Sequence, residues 1–362
     1  MSNVIIVTGS AGLIGSAAVR FFAEKGFDIV GVDNDMRAQF FGAAASTRPN
    51  LRQLASEVKH YFHYNIDIRD QLGVEALFRR GDKNIHAIVH CASQPSHDWA
   101  ASDPHTDFGV NAVGTLNLLE ATRRYCPEAP FVFMSSSKVY GDTPNKIMLE
   151  ELDTRFDIPR GETQISEIGL WYSGDGINER MSIDQSLHSL FGVSKLSADL
   201  LVQEYGRYFG MKTVCFRPGC LTGPNHAGVE QHGFLSHLVK CAVSGAPYRI
   251  IGYGGKQVRD NIHSQDVVSA MWEFIRAPRS GVVYNLGGGR HSNCSILEAI
   301  ADCERLTGKK METSYVDTPR KGDHKFWIGD PRKWQSHYPN WTWTYDHERL
   351  ITEMVEAEQA AK

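Results

Sequence analysis

The sequence predicts a doubly wound α/β fold, a parallel sheet covered by helices on both faces, and three observations carry that expectation. Strand-like and helix-like stretches alternate from the first residues, the strands are continuous runs of Val, Ile and Phe, and a glycine-rich turn joins the first strand to the first helix. Strands apolar along their whole length are buried on both faces, which in α/β proteins means a parallel sheet between helical layers.

The elements follow in order. "NVIIVTG" (3–9) is an apolar run ending in glycine, and "LIGSAAVRFFAEKG" (13–26) has helical spacing and stops at Gly26. "DIVGVDN" (28–34), "HYFHYNIDI" (60–68), "AIVHCAS" (87–93), "FVFMSSS" (131–137) and "KTVCFRPG" (212–219) read as further strands. Helices are expected between them, notably over 108–125 and 192–210. Beyond about residue 220 the sequence turns polar, Gly-rich and irregular, as in "GPNHAGVEQHGF" and "IGYGGKQVRDNIH", which suits a smaller substrate-holding lobe. "GVVYNLGGG" (281–289) reads as a late return to the sheet. The expected division is therefore 1–218 with 264–290 for the sheet domain, and 219–263 with 291–362 for the lobe. The stretch between Tyr140 and Phe191 reads as an elaborated loop near a site.

Composition narrows the function classes. The chain has 362 residues, a net charge of −4 and seven cysteines with no CxxC pair. Scattered thiols in odd number point to reduced cysteines in a cytoplasm, and no metal site is expected. The acidic balance disfavours general nucleic-acid binding. No apolar run is long enough to span a membrane, and the opening "MSNVIIVTGS" reads as a buried strand rather than a secretory signal.

"TGSAGLIG" spaces Gly9, Gly12 and Gly15 as GxxGxxG between a strand and a helix. The first glycine serves a tight turn, the second a close approach to pyrophosphate, and the third close packing of helix on strand. Asp33 ends the second strand, where a carboxylate binds both ribose hydroxyls of an adenosine and repels a 2′-phosphate. NAD is therefore expected in preference to NADP. Asp67 and Ile68 end the third strand, where an adenine could lie, although "DIRD" could equally open a capped helix.

The stretches "TGSAGLIG", "NIDIRD", "VHCASQ", "VNAVGTLNLLEA", "MSSSKVYGD", "FGVSK", "FRPG", "TGPN" and "KQVRDNIH" together resemble the extended short-chain dehydrogenase/reductase family, in its nucleotide-sugar epimerase and dehydratase group. "SSSKVYGDTPN", "DGINERMSIDQSLHS" and "YGGKQVRD" resemble its CDP-paratose 2-epimerase branch. The resemblance covers about residues 3–340 and implies a Rossmann sheet, NAD, a nucleotide-sugar substrate with CDP favoured, and C2 epimerisation of a deoxyhexose through a keto intermediate and transient NADH. Other chemistries of the group, namely 4-epimerisation, 4,6-dehydration and decarboxylation, stay open. Ser137-Lys138 after Ser136, in place of the Asp-Glu pair usual in dehydratases, disfavours dehydration.

Carried over position by position, the resemblance makes Ser136 the catalytic Ser/Thr and Lys195 the lysine that grips the nicotinamide ribose. It adds Leu13, Ile14, Asn34, Ala92, Gln94 and Asn111 to the cofactor contacts, Asn111 as a structural asparagine beside the active site. Gln257, Arg259 and Arg320 are implied at the substrate, the arginines on phosphate. Pairing with Asp260 or another carboxylate is the competing expectation for Arg259. Homodimerisation through helices 108–125 and 192–210 is implied as well, though burial within one chain explains the same apolar stripes.

One position departs from the family. The motif YxxxK puts a proton-transferring tyrosine four residues before the lysine, and here Phe191 stands there. Three readings are open: a base relocated to His97, Asp98 or Tyr172, a deliberate Tyr→Phe replacement, or a descendant that binds NAD and a sugar without catalysis.

Overall fold

The strands of the sheet form where apolar runs can be buried on both faces. In the computed structural model, which describes residues 3–81, 84–159, 161, 164–166, 169–226, 228–230, 232–320 and 322–361, the chain divides into two compact units. The first comprises Met1–Val139, Leu190–Arg217 and Val267–Tyr284; the second comprises Tyr140–Ser189, Pro218–Asp266 and Asn285–Lys362.

The first unit holds seven strands: β1 (Val4–Thr8), β2 (Asp28–Val32), β3 (Tyr61–Tyr64), β4 (Ile85–His90), β5 (Phe131–Met134), β6 (Thr213–Phe216) and β7 (Val282–Tyr284). Their order is β7-β6-β5-β4-β1-β2-β3 and every pair is parallel. The order reverses between β1 and β4, and open parallel sheets bind ligands beyond the carboxyl ends of their strands at such a switch point.

Three helices position the site. α1 (Leu13–Glu24) buries Ile14, Ala18 and Phe22, four residues apart, and ends before Gly26, whose φ of +87° no other residue type adopts cheaply. The expected helix 108–125 is interrupted: Gly109–Val113 winds as a wider, π-type turn before α2 (Gly114–Tyr125). Such turns shift one side chain out of helical register, here at buried Asn111. α3 (Leu190–Phe209) buries Phe191, Lys195, Ala198, Val202 and Tyr205, a stripe at helical spacing that sets a lysine among apolar neighbours.

In the second unit the strand Val258–His263 pairs with Cys220–Thr222, Asn293–Ser295 and Phe326–Trp327. Helices Phe234–Ser244, Ile296–Thr307 and His347–Ala360 supply a separate apolar core. Residues 140–189, expected with the sheet domain, group with the second unit, because their backbone partners lie there. Phe156 N–H donates to Lys256 O at 2.9 Å, Ile177 N–H to Ile328 O at 2.8 Å, and Asp330 N–H to Ile177 O at 2.8 Å. The two units are accordingly nearly equal in chain length. Among the described residues no helix is long and apolar enough to cross a membrane.

Candidate cofactor and catalytic site

The turn after β1 is built from glycines that cannot be replaced without collision. Gly9 has φ +66°, and a Cβ there would stand 2.7 Å from Ala92 N; one on Gly15 would stand 1.9 Å from Gly9 O. Gly12 is different. It opens α1 with no side-chain cap, and a Cβ on it would meet only Gly9 O, at 3.3 Å. An uncapped helix N-terminus with space in front of its backbone N–H groups suits an anionic group, so the loop fits a dinucleotide pyrophosphate.

Asp33 follows β2 and ties this loop to its surroundings. Its carboxylate accepts from Ala11 N–H at 3.1 Å, Asp35 N–H at 2.9 Å and Thr47 Oγ1 at 3.1 Å. Asn34 Oδ1 accepts from Met36 N–H at 3.3 Å. Asp35, not foreseen from the sequence, has φ +57° and receives Thr47 N–H at 2.7 Å. Asp67 is forked by Arg69, with Nε to Oδ1 at 3.0 Å and Nη2 to Oδ2 at 2.7 Å. The Ile68 side chain lies in the core against Gly114, where a Cβ would come within 2.6 Å of it, while Asn117 Nδ2 donates to Ile68 O at 2.9 Å. Ile68 can therefore offer an adenine its backbone and not its side chain.

Beside the loop lies a buried amide network. Gln94 N–H donates to Asn111 Oδ1 at 2.9 Å, and Gln94 Nε2 donates to Asp107 Oδ1 at 2.7 Å. Asn111 Nδ2 reaches Gln94 O, Asp107 Oδ1 and Ser194 Oγ, at 3.0, 3.1 and 3.0 Å. Burial raises the Asp107 carboxyl above its usual range, against the pull of these hydrogen bonds. Gln94 and Asn111 thus spend their side chains on the protein.

Ser136 stands just past the carboxyl end of β5, half-buried, its Oγ accepting from Lys138 N–H at 3.1 Å. Lys195 is 3% exposed. Its Nζ donates to Met134 O at 2.7 Å and lies 4.3 Å above the Phe133 ring. Burial lowers its pKa to about 8, opposed chiefly by the charge of Asp199. Asp199, one turn on, accepts from Arg217 Nε and Nη2 at 3.0 and 2.7 Å, from Ser135 Oγ at 2.5 Å and from Gln203 Nε2 at 2.6 Å. That anchor, which the sequence reading missed, fixes both α3 and the strand-end serine pair.

Phe191 is buried, and its ring meets the imidazole of His97 edge to face, with centroids 4.9 Å apart at 67°. Of the other candidate bases, Asp98 is exposed on the same turn as His97. Tyr172 belongs to the second unit, is 2% exposed, and its hydroxyl accepts from Met148 N–H at 3.3 Å. Burial pushes the Cys91 thiol up to about 12, so it remains protonated.

In the second unit Arg259 donates from Nη1 to Val258 O at 2.7 Å and pairs with Asp323, not with Asp260. Asp260 is turned to Gly329 N–H and Gly289 N–H at 3.0 and 3.4 Å, and burial raises its pKa to about 7. Arg320 donates to Glu230 O at 2.9 Å. Gln257 Nε2 donates to Ile251 O at 3.0 Å, while its buried Oε1 has no partner among the described residues. No cluster of metal-ligating side chains occurs among the described residues.

Known proteins are similar to this chain along most of its length. A CDP-paratose 2-epimerase of Salmonella typhi is 28% identical over 339 residues, 91% of each chain. A UDP-glucose 4-epimerase 2 of Arabidopsis thaliana is 28% identical over 86% of this chain and 83% of its own. The crystal structure of a Thermus thermophilus UDP-glucose 4-epimerase in complex with NAD superimposes with a TM-score of 0.76 at 25% identity, over 99% of this chain and 100% of that one. The NAD dependent epimerase/dehydratase family matches residues 5–161 and 172–287, a span that takes in the glycine loop, the strand-end serine and the buried lysine. On that match, with a glycine loop and sheet order suited to a dinucleotide, the chain belongs to the NAD dependent epimerase/dehydratase family.

Proposed function

We propose that this chain is a nucleotide-sugar epimerase acting at C2 of a CDP-linked deoxyhexose. The observation that carries the reading is the likeness to the Salmonella CDP-paratose 2-epimerase along 91% of both chains. Ser137-Lys138 after Ser136, in place of an Asp-Glu pair, supports epimerisation over dehydration.

When bound, NAD supplies a reversible acceptor for the hydrogen and electron pair of a sugar C–H bond. The chain's own residues do the rest. Gly9, Gly12 and Gly15, with Leu13 and Ile14, hold the pyrophosphate at the start of α1. Asp33 and Asn34 take the adenosine ribose, and Asp67 with the Ile68 backbone borders the adenine. Ala92, Gln94 and Asn111 form the floor. Lys195 offers the nicotinamide ribose the ammonium hydrogens that Met134 O does not take. Ser136 Oγ donates to the reacting sugar hydroxyl. Gln257, Arg259 and Arg320 hold the nucleotide diphosphate, Arg259 exchanging part of its pairing with Asp323 for phosphate oxygen.

The chain acts as a homodimer. Exposed Phe108, Val113, Leu116 and Leu200 line an apolar groove with α2 and α3, and a second copy supplies the cover. Seven cysteines, all free thiols, support a reducing cytoplasmic setting.

A second reading, binding without catalysis, is favoured by Phe191 alone. Protein loaded with NAD⁺ and given CDP-, UDP-, GDP- and dTDP-sugars in turn tests both. Reduced-nicotinamide absorbance and a C2-epimerised product with a CDP-sugar are expected. Reduction with another nucleotide sugar alone refutes the CDP assignment. Sugar binding with no reduction, in both the wild type and Phe191→Tyr, leaves the binding module.

A further inference from the structure

We propose that His97 replaces the missing phenol as the group that removes and returns the proton of the sugar hydroxyl. The inference rests on the reading above, because it needs a sugar alcohol oxidised at this strand end. Phe191 occupies the position of the family's proton-transferring tyrosine, and the ring against it is an imidazole, 4.9 Å away between centroids. Edge-to-face contact at that separation puts the two rings in van der Waals touch.

His97 is not carried on a loose surface turn. Ser96 N–H donates to Gln94 Oε1 at 2.5 Å, Gln94 Nε2 donates to Ser96 O at 2.9 Å, and Ser96 Oγ caps the helix His97–Ser102 by accepting Trp99 N–H at 3.2 Å. The same amides continue through Asn111 Nδ2 to Ser194 Oγ at 3.0 Å, and Ser194 Oγ donates to Phe191 O at 3.0 Å. One buried network therefore fixes both the imidazole-bearing turn and the backbone of Phe191. Satisfied buried networks hold geometry in this way.

The chemistry selects the imidazole among the neighbours. Cys91 is held protonated and Asp98 is exposed. Lys195, with a pKa of about 8, remains mostly an ammonium at neutral pH. An imidazole is, among these side chains, the type suited to general acid–base exchange with a hydroxyl. In the oxidative half-reaction the hydroxyl proton passes to an imidazole nitrogen. The C–H hydrogen leaves with its electron pair to the bound nicotinamide dinucleotide, and the carbon–oxygen bond becomes a carbonyl. The return half-reaction reverses each transfer on the other face of the sugar.

The helix His97–Ser102 packs against Pro104–Phe108 and α3, and through Trp99 against Phe40 of Met36–Phe41. The charged or titratable groups on these elements include Asp98, His105, Asp107, Arg37, Lys195 and Asp199. Asp107 is committed to Gln94 and Asn111, and Asp199 to Arg217.

The test compares the wild type, His97→Gln, Phe191→Tyr and the double variant, each loaded with NAD⁺ and mixed with the four nucleotide sugars. Calorimetry measures cofactor and sugar binding separately. The expected result is cofactor reduction by the wild type, a loss of about 10²–10⁴ in rate for His97→Gln with binding unchanged, and recovery in the double variant. The wild-type rate should fall in acid as the imidazole protonates, a limb absent from the double variant. His97→Gln within about tenfold of an active wild type overturns the inference and leaves the proposed function standing. So does an inactive wild type beside an active Phe191→Tyr. Inactivity of both removes the proposed function and this inference together. Independently of turnover, NMR titration should show the His97 pKa moving when nucleotide sugar binds; a pKa indifferent to the sugar overturns the assignment.

Discussion

Replacing Asp199 by Ala tests how the catalytic strand end and α3 are held together. The carboxylate is 0% exposed and its Arg217 partner 4%. Removing it takes the ion-pair partner from a buried guanidinium and the acceptor from Ser135 Oγ and Gln203 Nε2. A buried charge left without its partner costs about 3–5 kcal/mol. The two orphaned neutral donors cost about 1–3 kcal/mol each where they cannot turn to other acceptors, and these costs overlap. Asp199→Ala should therefore lower stability by at least about 3 kcal/mol, a large share of the roughly 5–15 kcal/mol of an ordinary domain. The Asp199→Leu/Arg217→Met pair removes both charges and fills their space, and should recover about 2 kcal/mol or more of that loss. Urea unfolding of the three variants followed by circular dichroism measures the differences. A single-variant loss below about 1 kcal/mol, or a double variant no better than Asp199→Ala, would refute the view that one buried ion pair locks this end of the sheet.

Three other expectations follow from the same geometry. Gly15→Ala places a Cβ where only 1.9 Å separates it from Gly9 O, so NAD⁺ binding by calorimetry should be lost, and retained affinity would show that the loop is not the cradle. Burial lowers the Lys195 pKa from 10.5 to about 8, so between those values the unfolded state binds the extra proton and stability should rise with pH. The wild-type urea midpoint should gain on that of Lys195→Met from pH about 7.5 to about 9.5, and parallel behaviour would refute it. Leu116→Glu/Leu200→Glu charges both sides of the exposed apolar groove and should convert a dimer to monomer in sedimentation, whereas an unchanged mass excludes the groove as the interface.

Much of the sheet was legible because burial on both faces leaves a continuous apolar record, as in Phe131–Met134 and Thr213–Phe216, where every residue is buried. The three glycines stood out by their local spacing, whereas Ser136 and Lys195 were singled out by resemblance to short family motifs. What escaped is held by partners far apart in sequence. The Gln94–Asn111–Ser194 network and the Asp199–Arg217 pair are written as isolated polar residues on apolar faces, with no local pattern to mark them. The wide turn at Gly109–Val113 has no signature beyond two glycines, one of them just past its end. Among its described residues the stretch 140–189 contains short strands and one 3-10 turn, Thr143–Lys146, and its assignment depends on contacts such as Ile177 with Gly329 that no periodicity announces. Arg259 was expected to meet phosphate, or else Asp260 or another carboxylate, and only three dimensions identify that carboxylate as Asp323.

The position of β7 bears on how the protein is made. β6 pairs with β7 through Val214–Val282, yet residues 218–266, part of the second unit, are synthesised between them. At about 5–20 residues per second on the ribosome, the nascent β6 waits several seconds with one apolar edge unpaired. Such an edge is a template for pairing with another chain. A chaperone that shields Thr213–Phe216 during that interval, or a pause that shortens the wait, governs yield without touching the finished molecule. A chain that stops short of Val282 never closes this edge, and aggregates where the complete protein does not.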